Sequence, residues 1–299
     1  MALSLKPLDQ QVIVITGASS GIGLATADAA ASAGARLVLA SRSERTLAAV
    51  ADGINAAGGQ AIYVVADVGK REEVERIAAA AISHFGRIDT WINNAGGSIY
   101  GRLEEVSEED SRRLFDTNFW GVVNGSLVAL PHLAAQGGAL INLGSEVSDA
   151  VVPLQGMYTA SKHAVKGFTD ALRVEVEELD KSPVSITLVQ PTATDTPFPQ
   201  HARNYMDKEP KLPTPQIPPH QVAHAILQAA TQPIREVKVG MMSKINTGMY
   251  KFLPVFADKV AAMQASRQQY DETPRNPQGA LFHPGGTGQV HGSGGMEAR

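Results

Sequence analysis

Short β-branched runs alternate with longer alanine-rich stretches of helical period along most of this chain, and that alternation restricts its fold more than any other feature. Residues 12–15, 37–40, 62–65, 88–92, 139–143, 184–189 and 236–239 read as seven strands. Residues 21–33, 44–57, 71–85, 108–135, 157–179 and 220–230 read as the helices between them. The apolar positions of the first strands run continuously, which suits a sheet covered on both faces. Right-handed crossovers then give an α/β fold, a doubly wound, parallel, seven-stranded sheet with helices on both faces. With 299 residues, 43% of them apolar and 19% charged, the chain can fill one such core.

Two segments break the rhythm. Residues 192–219 carry seven prolines and are too long for an ordinary connection. Residues 271–299 hold seven glycines and three prolines but few aliphatics, so an extended or disordered tail is expected after a single domain spanning 1–270. A third stretch, 241–263, places Ile245, Met249, Phe252, Leu253, Phe256, Val260 and Met263 largely by threes and fours, an amphipathic helix interrupted at Pro254. Core packing is its favoured role; a lid, a subunit contact and a membrane-surface contact are the alternatives.

Composition removes several function classes. Lys plus Arg number 26 against 30 Asp plus Glu, a net charge of −4, which offers no basic excess for a phosphate backbone; no nucleic-acid partner is expected. The absence of cysteine excludes disulfides, thiolate catalysis and Cys-type metal sites, and no metal ligand spacing is visible. No apolar run approaches the ~20 residues of a spanning helix, and no signal peptide is recognisable. A cytoplasmic protein without a transmembrane segment is expected.

The first strand runs into Thr16-Gly17-Ala18-Ser19-Ser20-Gly21-Ile22-Gly23 and then a helix. Glycines permit a tight turn and close backbone approach, and the helix N-terminus offers free N–H groups to a pyrophosphate. A tight strand–helix turn without a ligand is the alternative. The spacing, Thr-Gly-x-x-x-Gly-Ile-Gly, resembles the compact single-domain branch of the short-chain dehydrogenase/reductase family. Four further features support the resemblance: Asn93-Asn94-Ala95-Gly96 after the fourth strand, Asn118 in the 108–135 helix, Ser145 ending the fifth strand, and Tyr158-x-x-x-Lys162, with Tyr158 thirteen residues after Ser145. The likeness covers roughly residues 10–240 and implies a Rossmann-type fold.

The resemblance implies a dinucleotide held by Gly17, Ser19, Ser20, Gly21, Ile22, Gly23, Asn94, Ala95, Gly96, Pro191 and Thr196, with Asp67 and Val68 at the adenine; for Asp67, capping of the next helix is nearly as good a reading. The end of the second strand selects the cofactor. An acidic residue there would bind the ribose 2′-OH of NAD, whereas an arginine accommodates a 2′-phosphate. Ser41-Arg42-Ser43 has no carboxylate, so NADP(H) is expected over NAD(H), with an ordinary solvated charge near a helix start as the alternative role of Arg42.

Tyr158 and Lys162 share one helix face. A phenol of pKa ~10 is a poor proton-transfer group at neutral pH, and a nearby ammonium favours its ionised form. Tyr158 is the expected acid/base, Ser145 a donor to the substrate oxygen; the resemblance adds Lys162 on the ribose hydroxyls and Asn118 on a relay water. Alone, each has a bland role, as a surface pair, a turn cap or a backbone contact.

The family usually has Pro-Gly where this chain has Pro191-Thr192, so that turn is expected to take its own path. Val151, Val152, Leu154, Phe198 and Tyr205 are candidate substrate walls, with 192–219 a mobile substrate loop. Glu146 and Asp149 disfavour an anion, which leaves a small neutral carbonyl or alcohol. The expected activity is hydride transfer between nicotinamide and that group. A 3-oxoacyl-thioester reductase and a non-catalytic NADP-binding redox sensor are the alternatives. A homodimer or homotetramer is expected by resemblance.

Overall fold

The computed structural model describes residues 3–285 and 288–292. The elements run β1 (Val12–Thr16), α1 (Gly21–Ser32), β2 (Arg36–Ser41), α2 (Glu44–Ala56), β3 (Gln60–Val65), α3 (Arg71–Phe85), β4 (Thr90–Asn93), β5 (Ile99–Tyr100), α4 (Glu108–Phe115), α5 (Gly121–Gln136), β6 (Gly138–Leu143), α6 (Gly156–Arg173) and β7 (Val184–Pro191). There follow α7 (Phe198–His201), β8 (Arg203–Asn204), α8 (Pro219–Thr231), β9 (Glu236–Val239), α9 (Met241–Phe252) and α10 (Pro254–Gln264). Seven strands form one sheet in the order β3-β2-β1-β4-β6-β7-β9, every pairing parallel. All seven strands expected from the sequence are present. The order reverses between β1 and β4, which opens a crevice beyond their carboxyl ends.

Side chains alternate across the sheet, so one strand feeds two cores. Ile13, Ile15, Leu37, Leu39 and Ile92 point to one face, against Ala27 and Ala30 of α1, Leu47 of α2 and Val222 and Ile226 of α8. Val12, Val14, Val38, Trp91 and Leu140 point to the other, against Val74 and Ile77 of α3, Leu133 of α5 and Leu172 of α6. The expected strand 88–92 forms later, from Thr90, because Asp89 has a different task. Its buried carboxylate accepts the Val12 N–H (2.9 Å) and pairs with Lys6 (3.0 Å) and Arg87 (2.7 Å). Asp89→Ala is expected to destabilise the fold by about 2 kcal/mol, since it strands a buried N–H at the start of β1; a drop of several degrees in the thermal midpoint is the measurement.

Three expectations need correction. The 108–135 helix is α4 and α5 joined by a π-helical turn, Asp116–Trp120, and α6 ends in another, Val174–Leu179. The extra residue of a π turn barely disturbs apolar periodicity, so the pattern conceals it. The 241–263 stretch breaks at Pro254 as expected, but its apolar face does not join the core: Ser243, Thr247 and Ala257 make the buried contact, while Met241, Phe252, Phe256 and Met263 are exposed. Small residues on that face let α9 approach the domain closely.

The described part of the tail has no helix or strand, yet it is docked. The Pro277 carbonyl accepts from the Asn204 N–H (2.8 Å) and Arg203 (2.9 Å), the Ala280 N–H donates to His201 (2.7 Å), and Leu281 is buried beside Ile99 and Leu114. Side-chain burial alone does not hold such a segment: its backbone carbonyls serve as acceptors for arginines elsewhere in the domain. Residues 286–287 and 293–299 of the expected tail lie outside the described residues.

Candidate active site

The turn after β1 is packed as closely as glycine allows. Gly17 has φ +69°, and a Cβ there would lie 2.8 Å from the Ala95 Cα; one at Gly23 would run into the Gly17 carbonyl oxygen. Asn94 holds this approach. Its Nδ2 donates to the carbonyls of Thr16 (2.9 Å) and Gly17 (3.2 Å), while Thr16 Oγ1 accepts the N–H groups of Asn94 (3.0 Å) and Ala95 (3.2 Å). The Asn94 side chain therefore ties β4 to β1, leaving the N-terminus of α1 facing the crevice.

All the residues expected to hold a dinucleotide, from Gly17 to Thr196, line one cavity with Ser145, Tyr158 and Lys162. Asn118 does not line it. It sits fully buried in the π turn, its Nδ2 donating to the Gly97 carbonyl and Ser161 Oγ (both 3.0 Å) and its Oδ1 accepting the Gly97 N–H (2.9 Å). Ser161 in turn donates to the Tyr158 carbonyl (2.7 Å), so the Asn118 side chain clamps the loop after β4 to α6.

At the far end of the cavity, Asp67 is paired with Arg113 (2.6 Å) and accepts the Gly69 N–H (3.0 Å). Burial alone would raise its carboxyl, but the Arg113 hydrogen bond and charge prevail and hold it low. Arg42 donates to the carbonyls of Leu281 (2.9 Å) and Ala280, and Arg113 to Leu281 (3.1 Å). The tail thus forms part of the cavity wall beside Arg42. Further along, the Gly21 N–H donates to the Gln289 carbonyl (2.9 Å), and His291 pairs with Asp195 (2.8 Å). No motif revealed these contacts; a lone buried leucine, Leu281, in a Gly/Pro-rich segment was the only signal.

At the near end, Ser145 caps the single turn Glu146–Ser148 and presents its hydroxyl beside Tyr158. Lys162 Nζ is buried, donates to the Leu143 carbonyl (2.7 Å) and stands 5.9 Å from the centre of the Tyr158 ring. Burial pushes the Tyr158 hydroxyl up to about 12; the Ser145 hydrogen bond opposes this and the Glu146 charge adds to it. Burial also brings Lys162 down to about 8. Both displacements have burial as their largest cause, and both favour the neutral form of the side chain.

Of the expected walls, Val152 and Phe198 line the cavity, Phe198 edge-on to Tyr158 at 5.5 Å. Val151, Leu154 and Tyr205 do not: Val151 faces solvent, and the Tyr205 hydroxyl bonds Asp110 (2.7 Å). Thr192 keeps negative φ and continues the sheet, its N–H donating to the Val239 carbonyl (3.0 Å). Its hydroxyl donates to Glu146 Oε2 (2.9 Å), which also accepts from Asn246 of α9 (3.0 Å). Burial raises the Glu146 carboxyl against these two bonds.

The fold and the site both have counterparts. A family model described as short chain dehydrogenase matches residues 11–207. The chain is 45% identical over 288 residues, 95% of its length and 81% of the relative's, to the uncharacterized oxidoreductase YxnA of Bacillus subtilis. It is 41% identical over 183 residues, 60% of its length and 51% of the relative's, to 11-beta-hydroxysteroid dehydrogenase A of Sesamum indicum. A short-chain dehydrogenase/reductase from Burkholderia phymatum, solved in complex with NAD, superposes with a TM-score of 0.75 at 29% identity, covering 83% of this chain and 95% of that one. An alcohol dehydrogenase from Thermococcus sibiricus, solved with 5-hydroxy-NADP, gives 0.67 at 30% identity, covering 77% and 94%. No helix among the described residues is long and apolar enough to cross a membrane. With the glycine turn, the serine, the tyrosine and the lysine gathered around one crevice of a parallel sheet, and a family model matching from β1 to beyond β8, the chain belongs to the short-chain dehydrogenase/reductase family of oxidoreductases.

Proposed function

We propose that this protein is an NADP-dependent oxidoreductase that interconverts a small neutral carbonyl and the corresponding alcohol. The observation that carries the reading is the placement of Ser145, Tyr158 and Lys162 in the same cavity as the glycine turn. The cradle fits a dinucleotide: backbone approaches that a Cβ would block at Gly17 and Gly23 bring the N-terminus of α1 to the crevice. Gly21, Ile22 and Gly23 would face the pyrophosphate, Asp67 and Val68 the adenine, and Pro191 and Thr196 the nicotinamide end. Arg42, with Ser41 beside it and no carboxylate at the end of β2, would take a 2′-phosphate.

The nicotinamide, when bound, donates or accepts hydride. The protein's part is proton management and orientation. Ser145 donates to the substrate oxygen and stabilises the charge that grows there. Tyr158 gives its proton to that oxygen during reduction and takes it back during oxidation. Lys162 carries positive charge to the Tyr158 ring and favours phenolate. Asn118 acts by position, fixing α6 against the loop after β4.

The test is NADPH consumption by the purified protein with a panel of neutral ketones, aldehydes and quinones. Turnover on at least one class is expected, with NADPH favoured over NADH. Tight NADPH binding without turnover on any of them, or on alcohols with NADP⁺, would overturn the catalytic reading.

A further inference from the structure

The Glu146 carboxyl is oriented with unusual care for a group that opposes the proposed chemistry. It follows Ser145 directly and lines the cavity at the reacting end. One oxygen, Oε2, is held by Thr192 Oγ1 (2.9 Å) from beyond β7 and by Asn246 Nδ2 (3.0 Å) from α9. The other, Oε1, accepts no hydrogen bond from the described residues. Val152, Phe198, Leu212 and Pro213, which line the same cavity, offer no side-chain acceptor. The Gln155 amide is engaged by Ser98 (2.9 Å) and Gln268 (2.8 Å). Asp149 is turned away, towards Lys166 and Lys238.

The carboxyl works against the chemistry proposed for this site. Removing it from water is unfavourable, and its charge moves Tyr158 further from ionisation. Oε1 is not one of the buried side-chain atoms left without a partner, so it stays reachable from the cavity, where a donor on a ligand can replace water. Val152, Phe198, Leu212 and Pro213 carry no side-chain donor, so they do not compete for Oε1 with a donor carried by the ligand.

We propose that Glu146 anchors the substrate through a hydrogen-bond donor, a hydroxyl or an ammonium, carried near the reacting carbon. The proposal rests on the oxidoreductase reading and narrows its substrate class to donor-bearing carbonyls and alcohols. The donor engages Oε1 while the reacting oxygen meets Ser145 and Tyr158, so two adjacent residues set the distance between the two polar groups of the substrate. Binding also withdraws the Glu146 charge from Tyr158.

The experiment uses matched ligands of equal size: an α-hydroxyketone, the corresponding α-aminoketone, and the ketone with a methyl in place of the donor. Calorimetry with the NADPH-loaded protein gives affinities, and steady-state rates give kcat and KM separately. At least one donor-bearing ketone is expected to bind about 10- to 100-fold more tightly than the methyl ketone, with the difference in KM. Preference for the hydroxyl or for the ammonium identifies the donor. Glu146→Ala should bring the affinity ratio to about 1. Glu146→Gln, nearly the same shape, keeps an acceptor for a hydroxyl but loses most of the preference for an ammonium. Equal affinities in the wild type, or a preference that survives Glu146→Ala, would overturn the proposal. Discrimination in calorimetry without turnover of any ligand would instead overturn the oxidoreductase reading alone.

Discussion

Tyr158→Phe is expected to lower kcat by roughly 10²- to 10⁴-fold while changing NADPH affinity by no more than about threefold. The ring stays, with its edge contact to Phe198 at 5.5 Å, so the cavity keeps its shape and only the exchangeable proton is lost. A variant with near-wild-type rate would sink the acid/base role. The wild-type pH profile should run in opposite senses for the two directions. Tyr158, pushed up to about 12 by burial, is protonated through the neutral range, as reduction requires. Oxidation needs phenolate, so its rate should rise with pH. Above about 8, however, Lys162 loses the charge that favours phenolate, which flattens that rise. The same groups govern the stability of the protein without cofactor. For Lys162 the folded value lies below the ordinary 10.5, so its stabilising contribution is absent near neutrality and grows as pH rises from about 8 to 10.5. For Tyr158 the folded value lies above the ordinary 10.0, so stability is lost as pH climbs from 10 towards 12.

Arg42→Ala should weaken NADPH by about 10- to 100-fold and NADH by no more than about threefold, because a charge-assisted contact to a phosphate exceeds a neutral one. The guanidinium is already oriented by the Ala280 and Leu281 carbonyls, which are neutral acceptors. A 2′-phosphate would compete for the same donors with a full charge. Titrations of both cofactors against both proteins measure this, and equal losses for NADPH and NADH would count against the phosphate contact.

Much of this architecture was legible because burial on both faces leaves a plain signature. Residues such as Val12–Thr16, all buried, cannot be read as anything but an interior strand once a glycine turn and a helix follow. The fourth strand was expected from Ile88 because that residue is as apolar as the strand it precedes; the strand starts at Thr90, after the Asp89 carboxylate has closed on the Val12 N–H. Tyr158 and Lys162 were legible as a pair because their spacing puts them on one helix face, and Ser145 was legible through the family resemblance. Asn118 was singled out through the resemblance, but the π turn that buries it and directs it to Gly97 leaves no trace in the apolar pattern. Glu146 was noticed only as a charge. That one of its oxygens is pinned by Thr192 and Asn246 depends on residues 46 and 100 positions away.

The contact between the Gly21 N–H and the Gln289 carbonyl joins two ends of the chain, and it makes one amide proton a reporter. The first N–H groups of a helix have no partner within it, so the shielding of this one from solvent comes from the tail. The tail has no helix or strand of its own among the described residues, and its bonds run to loops and side chains at the surface of the domain, so it opens more often than the sheet unfolds. Gly21 should therefore take up deuterium in step with Ala280, whose N–H is held by His201, and well before Ile13 or Ile186 in the sheet. A residue at the start of the first helix thereby keeps time for the segment closing over it.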